Sequence, residues 1–249
     1  MRLKGDAVGK SPDDVTVSLR TADGSRFSRP LWEVQARQVV EAVPWRAVRS
    51  SRGQAHYPGF FWSATMSGHV IYESRLELAR LLLADYDRDV VAIAAQPFLI
   101  RAQVNGKVRR HVPDFLLIRA DATVQVVNVK PASRLADPKV AEALAWPGEL
   151  FAQRGWEHEI WSGDSPLYLR NLRYLAGYRL PGMVPEPLLG EVLAAVQPGD
   201  TIGGVAGRMP ASAAPGGIRA AVLRLLWQQQ LVTDLHRVLD AGSVLEVAA

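Results

Sequence analysis

Tyr72–Lys130 contains, in order, YESRLELARLLLADY from Tyr72, QPFLI from Gln96, RRHVPDFLLI from Arg109 and VQVVNVK from Val124. The first run predicts a helix over Glu73–Ala84. Leu76, Ala79, Leu82 and Leu83 recur at helical spacing, and Leu78 and Leu81 widen the apolar stripe. From Leu76 to Ala84 only Glu77 and Arg80 are polar. An acid at the centre of such a helix must be solvated in a cleft, paired, or bound to a cation, because burying it alone is costly. Three strands are predicted next: Asp89–Ile100, interrupted by Gln96-Pro97; Arg109–Ile118, carrying Asp114; and Thr123–Lys130, ended by Pro131.

Asn128 and Lys130 lie two apart on one strand, so they share a face while Val129 takes the other. A short turn joins that strand to the one bearing Asp114, and Glu77 completes the group from the helix. Two acids, an amide and a lysine so disposed suit phosphodiester chemistry at a metal. Magnesium prefers oxygen ligands and keeps several waters while binding one or two carboxylates plus substrate phosphate. Glu77, Asp114 and the Asn128 carbonyl are the expected ligands, with manganese able to substitute. Lys130 is expected to orient the attacking water or offset charge on the phosphorane.

Simpler roles compete at each position. Glu77 can pair with Arg80 at i+3. Glu73, one turn earlier, is expected to be structural. Strand alternation turns His111 away from Asp114, which makes it a packed or hydrogen-bonded histidine. His56, His69 and His158 have no metal-ligand spacing, so zinc is not expected. Gly203, Gly204 and Gly207 are not followed by GK[ST] and form no phosphate loop.

The 249 residues include 48% hydrophobic and 22% charged residues, enough for a core and against disorder. The absence of cysteine excludes disulfides and thiolate metal sites. Met1–Lys10 lacks an apolar signal core, and no apolar run approaches the ~18 residues of a membrane span. A cytoplasmic protein is expected. Net charge is +4, unevenly spread: Met183–Ala249 holds four basic and six acidic residues, leaving 25 basic against 19 acidic elsewhere. The excess lies with the proposed site, where a polyanion would need it.

Around this centre, Val15–Arg20 and Arg26–Ser28 flank Ala22-Asp23-Gly24 as a hairpin, and Leu31–Val43 reads as a short helix. Trp45–Phe61 mixes Arg46, Arg49 and Arg52 with aromatic rings. A loop tucking those rings under the core is preferred over a nucleic-acid surface. Asp137-Pro138 opens a helix to about Arg154, and Trp156–Trp161 is a fourth strand. Leu167–Tyr178 is a basic, aromatic helix, and Pro181, Pro185 and Pro187 mark a boundary after it. Beyond lie helices at Glu186–Val196, Thr201–Arg208 and Gly216–Gln229, then short strands at Leu231–Thr233 and Ser243–Val247, a winged-helix outline whose acidic balance argues against a strong DNA clamp. The expected fold is α/β: a restriction-endonuclease-like core, its mixed sheet flanked by helices, with a small winged-helix-like C-terminal domain. Its parts are a 1–61 extension with hairpin and helix, a 62–181 core and a 182–249 C-terminal domain.

RHVPDFLL followed by VVNVKP resembles the PD-(D/E)xK nuclease core, with Asn128 where an acid usually stands. The longer set YESRLELARLLL, DVVAIAAQP, RHVPDFLL and NVKP is similar to the TnsA family, the endonuclease subunits of heteromeric transposases, in which an amide two residues before the lysine is known. The resemblance covers roughly Trp62–Tyr178. It implies Glu77, Asp114 and Lys130 as catalytic residues of a magnesium-dependent nuclease that nicks the 5′ ends of a mobile element. It further implies a DDE transposase acting on the 3′ ends, and a C-terminal domain contacting that transposase and an AAA+ regulator. Two other readings stay open: a stand-alone restriction or junction-resolving nuclease, and a non-cutting DNA-binding adaptor, since an amide removes one charge from the metal site.

Overall fold

The computed structural model describes residues 14–46, 57–209 and 215–248. The chain divides into two units, Met1–Gly163 and Asp164–Ala249, in a mixed α/β architecture.

In the first unit β1 (Val15–Arg20) and β2 (Arg26–Pro30) form the expected hairpin, with Gly24 at φ +86° in its turn. The predicted Leu31–Val43 helix breaks into a 3-10 turn at Leu31–Glu33 and α1 (Ala36–Glu41), because Val34 and Gln35 are extended. A second hairpin, β3 (Gly59–Ser63) and β4 (Gly68–Tyr72), leads into α2 (Arg75–Tyr86). Strands β5 (Val90–Ala95), β6 (Leu99–Val104), β7 (Lys107–His111), β8 (Phe115–Arg119) and β9 (Val124–Val129) follow. The short α3 (Ala132–Leu135), then α4 (Pro138–Gln153) and β10 (Glu157–Trp161) complete the unit.

Five strands therefore stand where three were predicted after α2. Gln96, at φ +46°, and Pro97 divide Asp89–Ile100 into β5 and β6. Val112-Pro113-Asp114 divides Arg109–Ile118 into β7 and β8. A proline cannot donate to a ladder, so each break ends one pairing. The halves then enter different sheets. One sheet runs β2-β1-β6-β7, all antiparallel; the other runs β10-β9-β8-β5, with only β10 and β9 parallel. A parallel pair needs a crossover, and α4 supplies it. Asp137 caps that helix by accepting from the Lys139 N–H at 2.9 Å, with Pro138 in its first turn.

The inward residues of the first sheet, among them Val17, Leu19 and Ile100, share one core with Leu116 and Val126 of the second and Leu150 of α4. Phe98, Phe151 and Trp156 fill its centre, with ring centroids 6.1–6.3 Å apart.

A buried carboxylate fastens α2 to the β3–β4 turn. Asp85 accepts from the Ser63 hydroxyl at 2.5 Å and from the N–H groups of Ala64 and Thr65 at 3.0 and 2.9 Å. Asp85→Ala strips partners from buried donors, and unfolding in urea should show a loss of about 3 kcal/mol. A loss below about 1 kcal/mol would mean water replaces the carboxylate.

The second unit holds α5 (Pro166–Leu175) with a 3-10 turn at Ala176–Tyr178, then α6 (Glu186–Ala195), α7 (Ile202–Arg208), α8 (Pro215–Trp227) and the antiparallel pair β11 (Leu231–Val232) and β12 (Glu246–Val247). The three helices and ribbon follow the predicted order. The boundary, however, falls at 163/164 rather than 181/182. Asn171 of α5 donates to the carbonyls of Leu235 and Arg237 at 2.9 and 2.6 Å, and Tyr168 stacks on His236 at 4.7 Å. These contacts join α5 to the segment after β11, so it belongs with the C-terminal unit.

Candidate active site

The seam between the two sheets is where the chemistry-bearing residues meet. The Gln96 N–H donates to the Asp114 carbonyl at 2.8 Å, tying the two strand breaks together. The Asp114 N–H donates to the Val127 carbonyl at 3.1 Å, and its side-chain Oδ2 accepts from the Val129 N–H at 2.6 Å. Asp114 is thus held by backbone from two directions. The Gln96 carbonyl and side-chain oxygen also accept from the N–H groups of Trp45 and Arg46 at 2.9 and 3.1 Å, bringing Arg46 to the same place.

A cleft of about 810 Å³ opens here, and Glu77, Asp114 and Lys130 all line it. Arg46, Arg134 and Lys139 add cations to its wall, and Glu73 and Asp137 add acids. Lys130 stands just past β9, its N–H donating to the Trp161 carbonyl at 2.9 Å and its Nζ 3.7 Å from Asp114 Oδ2. Burial pushes the Asp114 carboxyl above its ordinary range, while Lys130 and the Val129 N–H pull it back.

Glu77 is the third residue of α2, and Ser74 is its cap. Ser74 Oγ accepts from the Glu77 N–H at 3.1 Å and donates back to Oε1 at 2.9 Å; Oε2 takes the Glu73 N–H at 2.7 Å. Burial raises the Glu77 carboxyl despite the Glu73 N–H, and nearby Asp114 raises it further. The pairing with Arg80 does not form. Arg80 is buried and reaches Glu159 of β10 at 2.6 Å instead. Glu73 meets Arg46 at 3.3 Å.

Asn128 departs from its expected place. It is fully buried and absent from the cleft wall. Its Oδ1 lies 2.7 Å from His111 Nε2 and its Nδ2 2.7 Å from His158 Nε2. Both arms are engaged, so this carboxamide bridges two histidines rather than offering an oxygen to a metal. With the amide so oriented, His111 carries its proton on Nε2 and His158 accepts at Nε2. His111 itself lines the cleft, contrary to strict alternation, because the chain leaves the strand at Val112 before reaching Asp114. It is hydrogen-bonded, as expected for a packed histidine. Burial lowers it to about 4, outweighing the Asn128 bond, and burial lowers His158 as well. Both imidazoles are neutral at pH 7. Gly148 of α4 makes room for this layer, since a Cβ there would overlap Nδ1 of His158.

Among the described residues no group of three or more His, Cys, Asp or Glu side chains encloses a metal. The chemistry of the donor set still fits a divalent cation. Two carboxylates raised by burial, Glu77 further by Asp114 and Asp114 further by Glu73, are relieved by positive charge, and an ion that keeps its waters needs no closed protein cage. Of the arginine-rich aromatic stretch, residues 47–56 with Arg49, Arg52 and His56 lie outside the described residues. Phe61 is buried as expected, but Tyr57 and Phe60 are exposed, with the Arg75 guanidinium 4.3 Å from the Tyr57 ring centroid. Arg134 and Lys139 were passed over in the sequence; Gln96 was read only as a strand break, and Arg46 only as part of a loop tucking its rings under the core.

Residues 87–163 match the family model described as TnsA-like endonuclease N terminal. The matched span ends where the first unit ends and contains Asp114, Asn128 and Lys130; Glu77 precedes it. No curated protein matches the chain. No helix among the described residues is long and apolar enough to cross a membrane.

Proposed function

We propose, with a TnsA-like nuclease as the premise, that this chain is a magnesium-dependent DNA endonuclease that nicks the 5′ ends of a transposable element beside a DDE transposase. The observation that carries the reading is the meeting of Glu77, Asp114 and Lys130, from a helix and the ends of two strands, in one cleft rimmed by Arg46, Arg134 and Lys139. Glu77 and Asp114 would hold the cation; Asn128 is left out of the ligand set because both its arms are occupied. When bound, magnesium or manganese supplies charge stabilisation at the phosphate and a lowered pKa for the attacking water.

The remaining work belongs to the side chains. Lys130, beside Asp114, orients the attacking water and offsets charge on the pentavalent phosphate. Arg46, Arg134 and Lys139 seat the flanking phosphates. Neutral His111 closes one wall without adding charge. The second unit, whose part from Met183 on carries more acidic than basic residues, docks protein partners, the transposase and an AAA+ regulator, in a winged-helix arrangement.

The test uses supercoiled plasmid carrying the element's ends. The chain with its partner transposase should nick only with magnesium or manganese, at the 5′ ends. Cleavage by the chain alone would favour a stand-alone nuclease. Calorimetry showing no metal binding that depends on Glu77 and Asp114 would favour the adaptor.

A further inference from the structure

The four strands β2, β1, β6 and β7 contain seven basic residues (Arg20, Arg26, Arg29, Arg101, Lys107, Arg109 and Arg110) and no acid. The chain as a whole is nearly balanced, at 29 basic to 25 acidic, so the segregation is local to this sheet. One face of the sheet is sealed in the core by Val15, Val17, Leu19, Ile100, Ala102 and Val104. The residues that alternate with them point outward.

On that outward face Arg101 and Arg110 sit directly opposite each other on neighbouring strands, both exposed, with Thr16 next across the sheet. No acid among the described residues pairs with either. Like charges directly opposite on a sheet destabilise it. Beyond the hydrogen-bonded pair Ser18 and Ser28 the face ends in a second cross-strand pair, Arg20 and Arg26. This lies about 14 Å along β1 from Thr16 at 3.4 Å per residue. Arg20 is spent on the Pro44 and Trp45 carbonyls, and Arg26 lies over the Trp45 ring at 5.1 Å. Trp45 leads straight to Arg46 in the cleft wall, and Arg110 adjoins His111 in the same wall. Chain connectivity thus places each end of the basic face next to a residue of the cleft wall.

We propose that this face is a second DNA-contact surface, at which Arg101 and Arg110 together grip the phosphate backbone of duplex flanking the nick. The inference rests on the nuclease reading and extends it by placing the duplex. Acid-free and mostly polar, the face suits sequence-independent phosphate contact rather than base reading. Its hydroxyl-bearing centre, with Thr16, Ser18 and Ser28, adds neutral donors for the same oxygens.

The experiment measures binding of a short labelled duplex by the full chain, without divalent metal, across a salt series. Replacing Arg101 and Arg110 together with Gln should flatten the log–log salt slope by about 1.8, and at 0.1 M salt raise Kd on the order of 50-fold. Arg101→Lys with Arg110→Lys should keep the slope, which separates lost charge from lost fold. The Gln pair should melt no lower than the parent, since it relieves repulsion. An unchanged slope in the Gln pair overturns the proposal, as does an equal loss from Arg170→Gln with Arg173→Gln in the other unit. A chain that loses the slope in the Gln pair yet never nicks sinks the nuclease reading and leaves the surface standing.

Discussion

Asp114→Asn is expected to cut the nicking rate by about three orders of magnitude, roughly 4 kcal/mol of transition-state stabilisation, while the protein melts no lower than its parent. The two halves of this result have one cause. Asp114 is largely buried, and Lys130, the Val129 N–H and Arg46 offset the cost of its charge. The Asn side-chain oxygen still accepts the Val129 N–H, so the backbone tie persists while the desolvated charge disappears. Lys130→Met should lower nicking to a similar degree but also destabilise, because it leaves a buried carboxylate without its cation. The acid limb of the rate follows from the same burial. Glu77 and Asp114 both bind protons more readily than ordinary carboxylates, and a proton competes with the metal. Nicking should fall as pH drops through their raised values and level off above. A variant at Asp114 that nicks at the parental rate, or a rate flat down to the ordinary carboxylate range, would remove Asp114 from the chemistry.

The second large effect belongs to Asn128. Asn128→Leu is expected to cost about 3–5 kcal/mol, because His111 and His158 each lose a partner inside the protein. Asn128→Asp, which puts a carboxylate at this position, should not raise nicking. A carboxylate between two partly buried imidazoles draws a proton onto one of them, and the new charge is spent there. The sign of the pH dependence reports this. In the parent, His111 falls from 6.5 to about 4 on folding, so its contribution to stability is complete above pH 6.5. It is lost as pH falls through 6.5 toward 4, a change of about 3 kcal/mol. Glu77 and Asp114, raised on folding, work in the opposite direction as pH falls. Comparing urea unfolding of the parent and His111→Gln between pH 7 and 4.5 therefore isolates the histidine. In Asn128→Asp the paired histidine binds its proton more tightly folded than unfolded. Its contribution is then full below 6.5 and lost as pH rises. The same pH slope in parent and Asn128→Asp would mean that the amide does not set the histidines' protonation.

Helices were the legible part of the chain, because their apolar spacing and caps are local. Asp137 before Pro138 announces a start that the structure keeps, while the helix read from Glu73 begins at Arg75 with Ser74 as its cap. The residues facing the cleft were also legible in kind, since Glu77, Asp114 and Lys130 come together there. The strands were harder. Alternation counts residues along an unbroken ladder, and it cannot see that Gln96 and Val112 each hand the chain to another sheet. That one omission accounts for the two merged strands and the misplaced His111 face. Asn128 was misjudged for a different reason. Its partner His158 lies 30 residues away on a parallel strand, a neighbour that no local pattern reveals. α5 was assigned to the wrong unit likewise, because its partners at Leu235 and Arg237 lie more than 60 residues on.

The outer strands of the first sheet, β2 and β7, expose Arg26 and Arg29 on one rim, Lys107 and Arg110 on the other, and Pro30 closes β2. Unpaired rims invite a neighbouring molecule to add its own strand, and like-signed side chains discourage it. That protection is electrostatic, so it fades when counter-ions crowd the surface or a polyanion lies along it. Copies kept apart in dilute buffer would then meet rim to rim, and the turbidity of concentrated protein should rise with added salt rather than fall.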